Sequence, residues 1–432
     1  MAVNNASPKS GKVVDIPANA PTIGAATDAG ALNGAVTVAY TAGSTTTGGP
    51  ISSYKAVSNP GSIVGTGTTS PITVSGLTLN TSYTFTVAAV NATGTSEYSS
   101  ASSSATPTYQ QFLLAKGSIS PYIKVYPWSN STGIGTPLAD PPVIATTGDG
   151  GAVFNKARSA VALQDWTSGA LSAYNFTTAG LGTKYSAQSG YTGYGYTSDF
   201  NNNDTALLAS SDTTPYVFAF PWSNSTGFGT RYSNPATLPT GSGQGAAFSP
   251  DGTAVAVSHH TSPWLTTYPF SSGFGTKYAN PATLPTTQGV RVRWNPAGTS
   301  IAITSTTTPY ISAYPWSSGF GTKYANPATM LTGGGNFLNW NPDGTNLAVT
   351  SEASPYILVY QWSSGFGTKY ANPAALPAQQ TYSVTWNIDG TALVTTTWLT
   401  PFINAWAWSA GFGTKYSDPT WTIGYPASIQ IK

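Results

Sequence analysis

The chain has no cysteine, two histidines and two glutamates in 432 residues. Disulfides and thiolate metal sites are excluded, while the redox compartment stays open. Charge is scarce: Asp, Glu, Lys and Arg make up 7% of the residues, against about 25% in typical soluble chains. A net charge of +2 without any Lys/Arg block cannot neutralise a run of phosphates, so no nucleic-acid partner is expected. No run reaches the ~20 apolar residues of a membrane helix, and membrane insertion is not expected. The opening "MAVNNASPKSGKVVDIPANA" lacks the apolar core of a secretory signal. Synthesis in a cytoplasm without a signal peptide is the expectation. No stretch carries the i, i+3, i+4, i+7 pattern of an amphipathic helix.

Aromatics are abundant instead: 25 Tyr, 16 Phe and 13 Trp. Disordered chains are poor in such residues, so this chain has the means to build a core. Thr, Tyr, Val and Trp between Gly- and Pro-rich turns predict an all-β protein.

Three segments follow. Residues 1–16 are polar without a strand pattern and read either as an anchoring arm or as a disordered tail. Residues 17–108 hold alternating strands such as "GAVTVAYTA" and "SYTFTVAAVN" at the spacing of a β-sandwich. The stretch "GLTLNTSYTFTVAAVNATGTSEYS" resembles the bacterial and phage type of fibronectin type III module. The resemblance implies Leu77 or Leu79 ahead of a tyrosine corner at Tyr83. Val38 or Tyr40 would replace the family's core Trp.

Residues 109–432 are a repeat array. A glycine of "GFGTKYANP"-like peptides recurs at Gly133, Gly180, Gly227, Gly273, Gly319, Gly365 and Gly411, spaced by 46 or 47 residues. Such a period signals a propeller or solenoid. Each unit has four short β-prone pieces, and the array resembles the WD-repeat type of β-propeller without its signature dipeptide. Phe154, Phe200, Phe248, Trp294, Trp340 and Trp386 mark the first strand. Trp128, Phe176, Trp222, Phe270, Trp316, Trp362 and Trp408 mark the third. Six marks against seven predict a shared blade: "QQFLLAKGSISPYIKVYPW" supplies its last three strands and "WTIGYPASIQIK" its first. The expected fold is therefore a fibronectin type III-like sandwich plus a seven-bladed propeller closed by its N- and C-terminal strands, which leaves no open sheet edge.

The shared aromatics read as core between blades. Asp251, Asp343 and Asp389 read as turn residues. Lys184, Arg231, Lys277, Lys323, Lys369 and Lys415 form a basic ring on the expected outermost strand. They serve either to block edge-to-edge pairing or to grip an anionic glycan or acidic partner. Positions that break the repeat are the candidate ligand or partner contacts: His259, His260 and Trp264 in an expected loop, Arg291 and Arg293 on an innermost strand, and Tyr191 and Tyr194 in a Tyr/Asn-rich stretch.

No "GxSxG", Walker-type or "HExxH" stretch is present, and the acids mostly sit in turns. The expectation is a chain that is not an enzyme and uses no cofactor or metal. A low-charge, Gly/Ser/Thr/Asn-rich chain joining a phage-like fibronectin module to near-identical repeats resembles exposed bacteriophage virion proteins. That resemblance implies a tail-fibre adhesion or capsid-decoration role in many copies per particle. The N-terminal region would anchor to other virion proteins, and the propeller would face host-surface glycans. A bacterial cell-surface adhesin or lectin-like propeller is the alternative.

Overall fold

The computed structural model describes residues 18–432 apart from 30–33, 46, 79–80, 109, 143–149, 166–168, 187, 420–423 and 425. The expected arm at 1–16 lies outside the described residues. Every regular element among the described residues is a strand. The chain divides into two units, 1–110 and 111–432, two residues beyond the boundary expected from the sequence.

In the first unit, Thr22–Asp28, Val36–Thr41 and Ile72–Val74 form one sheet, and Val64–Gly67, Ser53–Asn59, Thr84–Asn91 and Gly94–Thr95 form the other. The alternation Val36, Val38, Tyr40 turns three side chains inward. Tyr40 meets Tyr54 with ring centroids 4.5 Å apart. Tyr83 is buried, and its hydroxyl accepts a hydrogen bond from the Thr78 amide at 3.0 Å, closing the tyrosine corner.

Among the described residues the second unit contains seven antiparallel sheets. Sheet 1 joins Pro426–Ile431 to Gln111–Gly117, Ile123–Ser129 and Gly133–Ile134. Sheet 2 runs Ala152–Phe154, Ala160–Gln164, Leu171–Thr177, Gly180–Lys184, and sheet 3 runs Ser198–Phe200, Ala206–Ser210, Val217–Ser223, Gly227–Phe228. Sheet 4 has Gly243–Phe248, Ala254–His259 and Leu265–Pro269, and sheet 5 has Gly289–Trp294, Ser300–Ser305 and Ile311–Pro315. Sheet 6 runs Gly335–Trp340, Asn346–Ser351, Ile357–Trp362, Phe366–Lys369, and sheet 7 runs Thr381–Trp386, Ala392–Thr397, Ile403–Trp408, Phe412–Lys415.

The repeat aromatics explain why these sheets stack. In each of sheets 2 to 7 the first-strand ring meets the third-strand ring edge to face. Phe154–Phe176 stand 5.0 Å apart, Trp294–Trp316 5.6 Å and Trp386–Trp408 5.0 Å between centroids. Such pairs add about 0.5–1.5 kcal/mol each beyond their area burial. Second strands are buried along their whole length, as in Ser300–Ser305, because neighbouring sheets cover both faces. One apolar cluster joins each sheet to the next, and sheet 7 packs on sheet 1 through Ala392, Val394, Leu113, Trp128 and Ile431.

The turn between first and second strands is built by an Asn or Ser. Asn295 Oδ1 accepts from Ser300 N at 2.8 Å, and Asn387 Oδ1 from Ala392 N at 2.8 Å. The glycine that follows sits at positive φ (Gly298 70°, Gly390 68°), which a side chain would strain.

The fourth strand departs from expectation. It is four or five residues long in sheets 2, 6 and 7, two residues in sheets 1 and 3, and a single bridge in sheets 4 and 5. The difference tracks one position of the third strand. Asn175, Gln361 and Ala407 stand there in the long cases; Pro127, Pro221, Pro269 and Pro315 stand there in the short ones. The Pro315 carbonyl accepts from Gly321 N at 2.9 Å, so this residue faces the fourth strand. Proline has no N–H to return, and the ladder stops.

Candidate functional site

The first strands of the sheets line a cavity of about 480 Å3. Between these strands a repeated link appears. In sheets 3 and 7 the residue before the first-strand aromatic, and in sheet 1 the residue before Ile431, reaches across to a backbone N–H of the following sheet. Asp199 Oδ2 accepts from Phe248 N at 2.9 Å, Gln430 Oε1 from Phe154 N at 2.7 Å, and Thr385 Oγ1 from Ile431 N at 3.2 Å. Two residues earlier, Thr197 Oγ1 accepts from Ala246 N at 2.7 Å and Ser383 Oγ from Ile429 N at 3.3 Å. These side chains satisfy donors on the inner edges of sheets 1, 2 and 4.

Sheet 5 carries arginine at both places, Arg293 and Arg291. Arginine has no acceptor, so neither can make the link. Their guanidinium groups lie instead against the Phe337 ring of sheet 6, at 5.3 and 5.8 Å from its centre. Arg291 Nη1 donates to the carbonyls of Gln244 (2.7 Å) and Val290 (2.9 Å), and Arg293 Nη1 donates to Val292 at 3.0 Å. Arg291 Nε is buried without a partner. Desolvation by burial, and then the neighbouring Arg293, hold the Arg291 guanidinium down to about 10. Burial likewise lowers Arg293, while the charge of Asp199 opposes it.

Two lysines complete the cationic lining, Lys156 and Lys432. Lys432 follows the last strand of sheet 1. Its N–H donates to Phe112 O at 3.1 Å, as Asn387 N–H donates to Ala392 O in sheet 7. It thus stands where the other sheets hold the turn-building Asn or Ser. Burial, with Lys156 adding to it, pushes its ammonium down to about 7. Asp199 is the acid of the lining, and among the described residues no cavity cation is within ion-pair distance of a carboxylate. The cavity therefore gathers four cationic side chains around one acid, Asp199.

The other sequence candidates lie elsewhere. His259 belongs to the second strand of sheet 4 rather than to a loop. It is fully buried, with Nε2 2.9 Å from Thr266 Oγ1. Burial, the largest cause, lowers its pKa to about 4. His260 is exposed, and Trp264 is a half-buried turn residue at φ 63°. Tyr191 is a core residue whose hydroxyl donates to Ser210 O at 2.9 Å, whereas Tyr194 is exposed. None of these five lines the cavity, while Arg291 and Arg293 do.

The basic ring folds back on its own turns. Lys277 and Lys323 donate to Asn280 and Asn326 at 2.5 Å, Lys369 to Asn372 at 2.6 Å, and Lys415 pairs with Asp418 at 2.5 Å. Arg231 donates to Gly190 O at 3.0 Å, and Lys184 lies 5.9 Å from the Tyr174 ring centre.

The sequence places Asp199 as the one acid near the innermost strands that carry the arginines, and it lines the cavity with them; Lys432 was missed, although it follows Ile431 as Asn387 follows Trp386 once the closing strand is aligned with the others.

The comparisons with known proteins follow this division. Residues 20–105 match the fibronectin type III domain. No curated protein is similar in sequence. Among solved structures, one similar protein is from Bacteroides fragilis and provisionally assigned as a 6-phosphogluconolactonase (TM-score 0.61, 13% identity, 75% of this chain and 98% of that one). Another is the periplasmic gluconolactonase of Pseudomonas aeruginosa (0.56, 13%, 74% and 99%). A third is the β-propeller domain of Myceliophteria thermophila Cps50 (0.51, 9%, 75% and 94%). The second unit has a β-propeller-like fold.

These neighbours correct one expectation. The sequence reading held that the chain is not an enzyme, yet propellers of similar fold are named as lactonases. The reading relied on absent contiguous motifs and on the scarcity of His and Glu, with Asp mostly in turns. A propeller cavity gathers its groups from separate strands, as Asp199, Arg291, Arg293 and Lys432 illustrate, and no contiguous motif reports them.

Proposed function

We propose that residues 111–432 form a seven-bladed propeller closed by its first and last strands, and that its cavity binds an anionic small molecule of the sugar-acid or sugar-phosphate class. Closure is supported by the pairing of Ile431 with Leu113 and by Asp389, which accepts from Gln111 and Asn130 at 2.8 Å across the joint. The observation that carries the binding reading is the Arg291–Arg293 pair, set where sheets 1, 3 and 7 offer link-forming acceptors and, among the described residues, outside ion-pair distance of a carboxylate. The volume falls within the ~300–1,000 Å3 of small-molecule sites. Guanidinium groups suit carboxylate and phosphate oxygens because they offer paired N–H donors.

The proposed setting is the exposed surface of a bacteriophage particle, as tail-fibre adhesion or capsid decoration. The N-terminal region would attach to other virion proteins, and the propeller would turn outward. Sparse charge, absent cysteine and near-identical repeats support this setting.

Calorimetric titration of the full chain with 6-phosphogluconate, gluconate and glucose tests the binding reading. Both anions should bind and glucose should not, and Arg291→Gln/Arg293→Gln should abolish the anion signal. Equal heats from glucose, or an unchanged double variant, would sink it.

A second reading, lactone hydrolysis in the same cavity, is favoured by Asp199 beside the cationic groups and by the names of the similar structures. Asp199 would take the proton of an attacking water while the arginines carry the charge on the carbonyl oxygen, and would return that proton to the ring oxygen as its bond to the carbonyl carbon breaks. Acid release from glucono-δ-lactone above the buffer rate, lost in Asp199→Asn, is its test.

A further inference from the structure

The four cations of the cavity stand in two separate pairs. Arg291 and Arg293 lie three and one residues before Trp294, on the first strand of sheet 5. Lys432 lies one residue past Ile431, which holds the aromatic's place on the closing strand of sheet 1. Lys156 lies two residues past Phe154, in the turn that follows the first strand of sheet 2. Neighbouring first strands run in the same direction: Thr197 and Asp199 of sheet 3 accept, in that order, from the amides of Ala246 and Phe248 of sheet 4. Position along a first strand therefore measures depth in the cavity. Lys432 is two residues away from the level of Arg293 and four from that of Arg291, roughly 7 and 13 Å at about 3.3 Å per residue. Two sheets also stand between the pairs in the packing order, 3 and 4 on one side and 6 and 7 on the other.

The electrostatics follow the same division. After burial, the charge that acts on Arg291 is Arg293, and the first that acts on Lys432 is Lys156. Asp199, on intervening sheet 3, acts on both Arg293 and Lys432. Asp204 also acts on Lys432, but its two oxygens already accept from the Lys156 and Ala157 amides at 2.7 Å. At the arginine end, the buried Arg291 Nε has a hydrogen to donate and no partner.

We infer that the cavity selects a polyhydroxylated chain with an anionic group at each end, one held by Arg291 and Arg293 and the other by Lys432 and Lys156, with Asp199 accepting from the hydroxyls between. This rests on the cavity reading and narrows it. The guanidinium groups offer paired donors to one carboxylate or phosphate, and the ammonium groups act as point charges on the other. Asp199 holds Phe248 N with Oδ2, and a carboxylate has acceptor positions beyond that one. A ligand with one anionic group answers one pair only. A short dianion carries the charge but not the span. The class that fits is the six-carbon sugar diacid or the sugar acid phosphorylated at its far end.

Calorimetric titration of the full chain at pH 6, where Lys432 is protonated, compares three probes. Glucarate has a carboxylate at each end of six carbons, gluconate has one on the same skeleton, and tartrate has two on four carbons. Glucarate should bind at least about tenfold tighter than either, roughly 1.4 kcal/mol. Lys156→Gln/Lys432→Gln should abolish that preference. Lys156 is exposed, so Lys156→Gln leaves the fold intact and should by itself lower the preference. Tartrate binding as tightly as glucarate would mean that charge alone recruits the anion. Gluconate binding as tightly would mean that one pair suffices. Either result, or an undiminished preference in both lysine variants, overturns the inference and leaves the cavity reading standing. Silence from all three probes overturns both.

Discussion

Asp199 accepts from the Phe248 amide at 2.9 Å, and Arg293 occupies the equivalent place in sheet 5 without an acceptor to offer. The cavity charge therefore stands where sheets 1, 3 and 7 make a structural hydrogen bond. Gln430 makes the same link to Phe154 at 2.7 Å, so Arg293→Gln should restore it toward Trp340. The variant should gain about 1 kcal/mol of stability in urea unfolding, the net worth of one hydrogen bond, while losing anion affinity. Lower stability would mean that the guanidinium serves the fold through Phe337.

Lys432 gives the cavity a pH dependence near neutrality. Its native pKa is about 7, below the ordinary lysine value, because burial disfavours the charged form. Raising the pH through about 7 removes one positive charge, so affinity for gluconate should fall between pH 6 and pH 8. The unfolded chain keeps that proton up to about 10.4. Between the two values the unfolded state holds more protons, and stability contributed at this site rises with pH. Lys432→Met should flatten the affinity profile across this window. A profile unchanged by the substitution would exclude Lys432 as the titrating group.

His259 acts in acid. It is fully buried and its native pKa is about 4, against about 6.5 unfolded. From pH 6.5 down to 4 the unfolded state binds more protons, so stability is lost progressively across that window, by up to ~3 kcal/mol. Ser305 and Ser351 hold the same position in sheets 5 and 6. His259→Ser should therefore fold and remove most of the slope of unfolding free energy against pH. An equally steep slope in the variant would assign the effect to other groups.

Much of this architecture was legible because repetition separates shared duties from local ones. The aromatics at Trp294 and Trp316 recur with the period and pack where a recurring contact must lie. The alternating strands around Tyr83 marked a β-sandwich, and the resemblance of "GLTLNTSYTFTVAAVNATGTSEYS" to fibronectin type III modules supplied its family. The cavity was less legible. Arg291 and Arg293 stood out as oddities, but only the pairing of separate first strands brings Asp199 and Lys432 to them. His259 was misread as a loop residue because its strand runs one residue further than the turn chemistry of "HTSP" suggests.

The outer edge of the propeller-like unit is set by single prolines. Pro315 faces the fourth strand, and its carbonyl accepts from Gly321, but it returns no N–H. Gln361 at the same place in sheet 6 is followed by a fourth strand, Phe366–Lys369, paired through Tyr360 and Lys369. The peptides "SSGFGTKYANPA" after the two positions are identical. The pairing residue, rather than the strand itself, thus decides whether a ladder forms. Pro315→Gln should extend sheet 5 by a strand over residues 320–323. Amide exchange of Thr322 and Lys323 should slow toward the rates of Thr368 and Lys369. If those amides keep exchanging at the parent rate, the short outer edge has a cause outside the third strand.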